Sequence, residues 1–204
     1  MKNIKLKSVD SASADTIVNI HFDAVHRGNA SDFYSKDTLD DWSPPISEER
    51  ISEFKNRISE TKPIALLAYY DEKPVGFGIF NLKLQKIGAI YAKAAYTKRH
   101  VGISLLTKLE KLAIQNGCKK LDLDSSLNAK AFYEKHGFVS ISEGYFTLPS
   151  GRQMKSVSMS KMLKTGYLDR AKRSERQIPQ RSASMKQNHG PVKNQKLIMR
   201  GRAL

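Results

Sequence analysis

The first thirty residues combine a strand pattern with a helix pattern. Apolar residues alternate with lysines from residue 4 to residue 9, which predicts an edge strand. Apolar residues then recur at helical spacing from Ile17 to Val25, and Asp10, Ser11 or Ser13 can cap this helix. The helix is expected to stop near residues 27–29, at an Arg-Gly-Asn sequence.

Residues 29–46 interrupt this regular pattern. They are mostly polar and end at Pro44-Pro45, so we expect an irregular segment with a few embedded apolar side chains. A second helix is predicted after Ser47, because a charged first turn is followed by apolar residues on one face: Ile51, Phe54 and Ile58.

The middle of the chain contains continuous apolar runs typical of buried strands. Residues 63–70 and 75–82 form two such runs, and Asp71-Glu72-Lys73 between them predicts a hairpin turn. The second run contains Gly76 and Gly78. Glycine weakens a strand unless another part of the molecule approaches closely, so a close neighbour is expected there.

A strand-to-helix turn follows. Residues 87–91 form another apolar run, and after it Val101, Leu105 and Leu109 recur at helical spacing. The turn between them is basic, with Gly102 in the first turn of the helix. Free backbone N–H groups and the positive end of the helix dipole suit a phosphate-bearing ligand, although a lone glycine is a weak signal.

The remaining pattern completes a sheet. Asn116-Gly117 ends the helix, residues 119–124 have strand periodicity, and residues 126–138 predict a short helix closed by Gly137. Two further strands are predicted at residues 139–148 and 154–162. This order of strands and helices predicts an α+β fold with a mixed sheet.

Two motifs in this region resemble the GCN5-related N-acetyltransferase (GNAT) family. They are the helix start VGISLL, residues 101–106, and the helix end AKAFYEKHGF, residues 129–138. The resemblance implies a central mixed, mostly antiparallel sheet flanked by helices, with strands 4 and 5 splayed apart to admit the pantetheine arm of acetyl-coenzyme A. The sequence departs from the family pattern where Thr97, His100 and Ser126 replace its usual Gln or Arg, Gly and Asn.

The resemblance also implies roles for individual residues. Tyr133 would be the general acid toward the coenzyme A sulfur. The backbone of Ile90, Tyr91 and Ala92 would bond the pantetheine amides and polarise the acetyl carbonyl. Ser126 and Asn128 lie where the family contacts the coenzyme. The pyrophosphate would be held by the backbone N–H groups of one continuous stretch: Arg99, His100, Val101, Gly102, Ile103 and Ser104.

The general base and the acceptor site stay open at this point. No Asp, Glu or His occurs in residues 86–96, so Asp124, His26 or a chain of water molecules could take the proton. The acceptor is expected between residues 26–46 and the strands after Phe138. Three aromatic or apolar residues in the first segment could line it or could fix a long loop to the core: Tyr34, Leu39 and Trp42. Asp40-Asp41 could attract a cationic amine or form a solvated turn.

Composition separates the C-terminal part from the rest. The 204 residues carry a net charge of +15, and residues 164–204 hold 11 of the 35 basic and 2 of the 20 acidic residues. We therefore predict an acetyltransferase domain at residues 1–163 and a basic tail at 164–204, disordered from residue 171, with weak nonspecific nucleic-acid contact at most. A monomer and a homodimer are both compatible with the sequence.

The remaining expectations concern location and chemistry. No apolar run approaches the ~20 residues needed to span a bilayer, the N-terminus lacks an apolar leader, and Cys118 is the sole cysteine. We expect a cytoplasmic protein with acetyl-coenzyme A as co-substrate and no metal. The leading hypothesis is an N-acetyltransferase that acts on a primary amine of a small molecule or protein by direct attack. The alternative is a non-catalytic acyl-coenzyme A binder with a nucleic-acid-binding tail.

Overall fold

The computed structural model describes residues 4–164. Residues 1–3 and 165–204 lie outside it, and most of the predicted basic tail is among them. In chain order the elements are β1 Lys5–Ser8, α1 Ala14–His26, α2 Lys36–Trp42, α3 Glu48–Thr61, β2 Ile64–Tyr70, β3 Lys73–Asn81, β4 Lys86–Ala92, α4 Val101–Gln115, β5 Lys120–Ser126, α5 Lys130–Lys135, β6 Val139–Thr147 and β7 Gln153–Met162. None of the helices in this range combines the length and the apolar content that a bilayer crossing requires.

The strands form one seven-stranded sheet in the order β1-β2-β3-β4-β5-β7-β6. Every neighbouring pair is antiparallel except β4 and β5, which run parallel. These two strands pair only at Lys86–Asp122 and Ile87–Leu123, and then diverge. The predicted α+β class, the mixed and mostly antiparallel sheet and the splay of strands 4 and 5 are therefore confirmed.

The helices cover the two faces of the sheet. Helices α4 and α5 pack on one face, in the main apolar core around Leu105, Leu109 and Phe138. Helix α1 covers the other face, where Ile17 and Ile20 pack against strands β2 and β3. The core thus lies on both sides of the sheet, and the splay between β4 and β5 opens at the sheet centre.

The two strand glycines allow α4 to lie close to the sheet. A Cβ atom at Gly76 would lie 2.5 Å from a methyl carbon of Val101, and one at Gly78 would lie 3.1 Å from a methyl carbon of Leu109. The expected close neighbour is therefore confirmed, and it is the helix itself. This contact fixes the N-terminus of α4 beside the end of β4.

The segment at residues 29–46 was predicted to be irregular, and this prediction is wrong. It contains helix α2, capped by the hydroxyl of Ser35, which accepts a hydrogen bond from the N–H of Thr38. The helix has only seven residues, and Leu39 alone is fully buried. One buried position gives no periodicity, so the hydrophobic pattern could not indicate a helix here.

Candidate active site

A cleft of about 660 Å³ occupies the splay between β4 and β5. One wall is the free edge of β4, and the opposite wall is the end of β5 with the turn that leads into α5. The N-terminus of α4 borders one end, while the end of α1 and Trp42 border the other. Of the predicted site residues, the following line it: Ile90, Tyr91, Ala92, His100, Val101, Gly102, Ile103, Ser126, Asn128 and Tyr133.

The N-terminus of α4 presents unused backbone donors to the cleft. His100, where the family pattern has glycine, adopts the left-handed conformation with φ 64°. His is among the residues that tolerate this region best, so the turn keeps a glycine-like backbone without glycine. In the described part of the chain, the N–H groups of residues 100–103 have no acceptor, as expected for the first turn of a helix.

Arg99 and Ser104, at the two ends of the predicted phosphate loop, differ from residues 100–103 because their N–H groups are already hydrogen-bonded within the chain. The N–H of Ser104 donates to the carbonyl oxygen of His100 at 3.0 Å, and that of Arg99 donates to Tyr96 at 3.4 Å. Neither residue lines the cleft, and the guanidinium of Arg99 lies over the rings of Tyr70 and Tyr96. The donors available to a ligand are therefore those of residues 100–103.

The free edge of β4 offers a second set of peptide groups. The N–H of Lys93 donates to the carbonyl oxygen of Val75 in β3 at 2.8 Å. Peptide groups of an antiparallel strand alternate in direction, so Tyr91 also points its peptide groups to β3. The peptide groups of Ile90 and Ala92 then point to the opposite edge, which faces the cleft.

Asn128 contributes an unpaired acceptor. Its Nδ2 donates to Oδ1 of Asn29 at 3.3 Å, but its own Oδ1 is buried and has no hydrogen-bond partner. A buried unpaired acceptor costs free energy unless a ligand or water supplies a donor. Together with the free donors of α4 and β4, this atom fits an elongated ligand that carries amide N–H groups, carbonyl groups and phosphates.

Tyr133 lies in the cleft wall with 7% of its surface exposed. Its ring packs edge-on against Phe132 and Phe138, with centroid distances of 5.1 Å and 5.6 Å. Burial raises the pKa of its phenol, and the neighbouring phenol of Tyr91 adds to this effect. Tyr133 therefore remains a protonated hydrogen-bond donor over the ordinary pH range.

The two candidate bases are both engaged elsewhere. Asp124 lines the cleft, but its carboxylate binds Nζ of Lys86 at 2.6 Å and accepts a hydrogen bond from Ser158 at 2.9 Å. His26 borders a separate depression beside α2, not the cleft, and its Nε2 lies 2.7 Å from the carbonyl oxygen of Ser43.

The three aromatic or apolar residues singled out in the α2 segment divide into two groups. The hydroxyl of Tyr34 donates to the carbonyl oxygen of Lys155 at 2.8 Å and accepts from the N–H of Leu127 at 2.7 Å. Leu39 of α2 is buried in a small apolar cluster with Val25 and Ala30. These contacts favour the interpretation that both fix the segment to the core. Trp42, in contrast, lines the cleft, and its ring lies 6.2 Å from the ring of Tyr91 between centroids.

A part-buried pair behind Tyr91, His21 and Arg50, was not found from the sequence. Nδ1 of His21 lies 2.9 Å from the guanidinium of Arg50 and 3.3 Å from the hydroxyl of Ser43. The imidazole ring meets the ring of Tyr91 edge-on at 4.6 Å. Burial, and then the charge of Arg50, lower the pKa of His21 to about 3. The two residues are 29 positions apart on different helices, so no local spacing indicated their contact.

Comparison with known proteins identifies the class. The sequence profile of the acetyltransferase (GNAT) family matches residues 31–138. The chain is 31% identical over 102 residues to the uncharacterized N-acetyltransferase YjcF of Bacillus subtilis, over 49% of this chain and 69% of that protein. A crystal structure of a GCN5-related N-acetyltransferase from Rhodopseudomonas palustris is similar with a TM-score of 0.72 and 27% identity, over 80% of this chain and 98% of that one. The PaiA N-acetyltransferase of Thermoplasma acidophilum, in complex with coenzyme A, is similar with a TM-score of 0.60 and 20% identity, over 78% of this chain and 99% of that one.

The chain therefore belongs to the acetyltransferase (GNAT) family. It is an acyltransferase enzyme, and the general reaction is acetyl transfer from acetyl-coenzyme A to an acceptor. The resemblance stated from the two motifs is confirmed.

Proposed function

We propose that this enzyme transfers the acetyl group of acetyl-coenzyme A to a primary amine by direct attack within the cleft between β4 and β5. The observation that carries the proposal is the position of Tyr133. Its protonated phenol lines the same cleft as the free donors of α4 at one end and the aromatic wall around Trp42 at the other. Donor and acceptor can therefore meet beside a proton source.

The coenzyme would be held mainly by backbone groups. The N–H groups of residues 100–103 suit the pyrophosphate, since they lie at the positive end of the α4 dipole. The cleft-facing peptide groups of Ile90 and Ala92 suit the pantetheine amides, and Oδ1 of Asn128 suits an amide N–H. Ser126 adds a hydroxyl to the same wall. The PaiA relative binds coenzyme A in the same fold.

The reaction balances with one proton lost and one gained. The amine nitrogen attacks the thioester carbonyl carbon, a C–N bond forms, and the C–S bond breaks. The sulfur takes a proton from Tyr133, the amine nitrogen releases one proton to water, and a proton from water restores the Tyr133 phenol. A positioned acid of this kind contributes roughly 10²- to 10⁴-fold to a rate.

The test is coenzyme A release with acetyl-coenzyme A and a panel of primary amines. In the Tyr133→Phe variant, which keeps the ring, we expect turnover to fall about 10²-fold while acetyl-coenzyme A affinity changes little. Because its pKa is raised above the ordinary value of about 10, Tyr133 should cause no loss of turnover below that pH. Equal turnover in the variant would leave Tyr133 as a packing residue.

No finding favours a non-catalytic acyl-coenzyme A binder, because the relatives that share this fold are named as N-acetyltransferases. The weak nucleic-acid contact predicted for the basic tail falls on residues outside the described range. It stays a prediction.

A further inference from the structure

We infer that the acceptor is a small amine of low basicity on an apolar or aromatic body, and that it enters the cleft uncharged. This inference rests on the proposed amine acetylation and adds the class of substrate to it. Three features of the acceptor end carry it: its closure by α2, its apolar lining, and the pairing of the nearby carboxylates.

The segment that contains α2 bridges the acceptor end of the cleft. On one side, the ring of Trp42 contacts the ring of Tyr91 of β4, with a centroid distance of 6.2 Å. On the other side, Asp41 binds the hydroxyl of Ser150 and lies 3.5 Å from the guanidinium of Arg152, in the turn between β6 and β7. The bridge therefore spans from one splayed strand to the hairpin beyond the other. Such a closure suits a small molecule better than a lysine on the surface of a folded protein.

The wall inside this bridge is mainly apolar. Its side chains come from the end of α1, from the connection between α1 and α2, from α2 and from the β6–β7 hairpin: Val25, Ala30, Trp42, Phe146 and Met154. An acceptor with an apolar body would remove this surface from water, which is favourable at about 25 cal/mol per Å². An acceptor with several charges would lose its hydration without replacement.

The carboxylates near the acceptor end are already paired. Asp124 is the only carboxylate among the described residues that line the cleft, and it binds Lys86. Asp40 pairs with Lys36, and Asp41 binds the hairpin turn. These contacts favour the interpretation that Asp40-Asp41 stabilise α2, and not that they attract a cationic amine. An ammonium group in the cleft would therefore lack a free counter-charge on the described wall.

The titratable groups at the acceptor end also do not suit proton removal; the two histidines of the described cleft lining, His100 and His136, lie at the N-terminus of α4 and at the end of α5. His21 lies behind Tyr91 with its Nδ1 facing Arg50, and its lowered pKa keeps it neutral. The phenols of Tyr91 and Tyr133 have raised pKa values and remain protonated. The amine should then arrive in its neutral form. At pH 7 roughly one in ten groups with a pKa of about 8 is neutral, against roughly one in 2,500 with the lysine pKa of about 10.4.

The experiment compares aniline with cyclohexylamine, which have similar rings but very different basicities. Acetyl-coenzyme A is held at saturation, and kcat/KM is measured for each amine from pH 6 to pH 9. For cyclohexylamine we expect kcat/KM to rise about tenfold per pH unit, because only the neutral fraction of the amine reacts. For aniline, which is neutral throughout, we expect a flat profile.

A base in the enzyme would give a different result. Both profiles would then bend at one shared pKa that belongs to the protein, and this outcome would overturn the inference while leaving amine acetylation intact. A lysine-containing peptide acetylated faster than aniline would overturn it as well. If none of the amines releases coenzyme A, the proposed function itself fails.

A matched pair of variants tests the charge argument directly. Asn29 lines the cleft, and Asn29→Asp adds a carboxylate of the same shape while keeping the oxygen that Asn128 contacts. We expect kcat/KM for cyclohexylamine at pH 7 to rise about fivefold, and that for aniline to change less than about twofold. Asn56→Asp on the exposed face of α3 makes the same charge change away from the cleft and should leave both values unchanged. An equal effect of Asn29→Asp on both amines would count against the inference.

Discussion

His21 illustrates how a single side chain can depend on a partner that is distant in sequence. Its Nδ1 must stay unprotonated, because it lies 2.9 Å from the Arg50 guanidinium and beside the hydroxyl of Ser43. Protonation would place two cations in contact in a part-buried site. Arg57 and His26 lower the pKa further, in the same direction. The neutral imidazole in turn supports the ring of Tyr91, which lines the cleft.

This arrangement predicts a loss of stability in mild acid. The pKa of His21 is about 3 in the folded protein and about 6.5 in the unfolded chain. Between these values the unfolded chain binds more protons, so the stabilisation is complete above pH 6.5 and declines as the pH falls toward 3. The contribution of His21 should fall by about 1.4 kcal/mol per pH unit in that window.

The measurement is the free energy of urea unfolding at pH 7.5 and pH 5.5 for the wild type and for His21→Asn. The asparagine oxygen can accept the Arg50 hydrogen bond but does not titrate. We expect the wild type to lose roughly 1 kcal/mol more than the variant over this interval. Parallel losses in the two proteins would show that His21 is not the titrating group.

Helix α4 joins the fold to the proposed coenzyme site. Its position is set by Gly76 and Gly78, which let Val101 and Leu109 approach the sheet. Its first turn then presents the N–H groups of residues 100–103 to the cleft. A side chain at Gly102 would place its Cβ atom 3.3 Å from the ring of Phe132, so larger residues there also press on α5.

Two isosteric variants separate charge from size at this helix terminus. Both Gly102→Asn and Gly102→Asp introduce the same crowding against Phe132, but only the second adds a negative charge beside the proposed pyrophosphate. We expect acetyl-coenzyme A to bind the Asp variant about tenfold more weakly than the Asn variant, measured by titration calorimetry. Equal affinities would mean that the phosphates lie elsewhere.

Elements with long periodic patterns could be predicted from the sequence, and short ones could not. Helix α4 has five buried residues at helical spacing, and it begins at the predicted residue. Helix α2 has only one buried residue and was missed. The same limit applies to the site. Tyr133 and Gly102 belong to contiguous motifs, whereas the Trp42–Tyr91 and His21–Arg50 contacts join residues that only the folded chain brings together.

The described part of the molecule forms a closed unit that ends just after β7. The N–H of Leu163 donates to the carbonyl oxygen of Lys119 at 2.8 Å, and its side chain is buried in the main core. All the strands and helices of residues 4–164 precede this residue. Leu163, at the predicted end of the acetyltransferase domain, is therefore the last core residue of the described chain, and the boundary itself stays a prediction.

This position of the last core residue predicts the outcome of truncation. Removal of residues 165–204 should leave the melting temperature, the shift caused by acetyl-coenzyme A and the turnover with amines unchanged, because every residue assigned to the core and the cleft is retained. The same deletion should abolish salt-sensitive retention on a nucleic-acid column, since it removes ten of the 35 basic side chains.

The matched control ends at Ser160 and also removes Leu163. Losing its buried side chain and the end of β7 should cost about 2 kcal/mol or more. If the variant that lacks residues 165–204 melts at as low a temperature as this control, residues beyond 164 must pack on the domain.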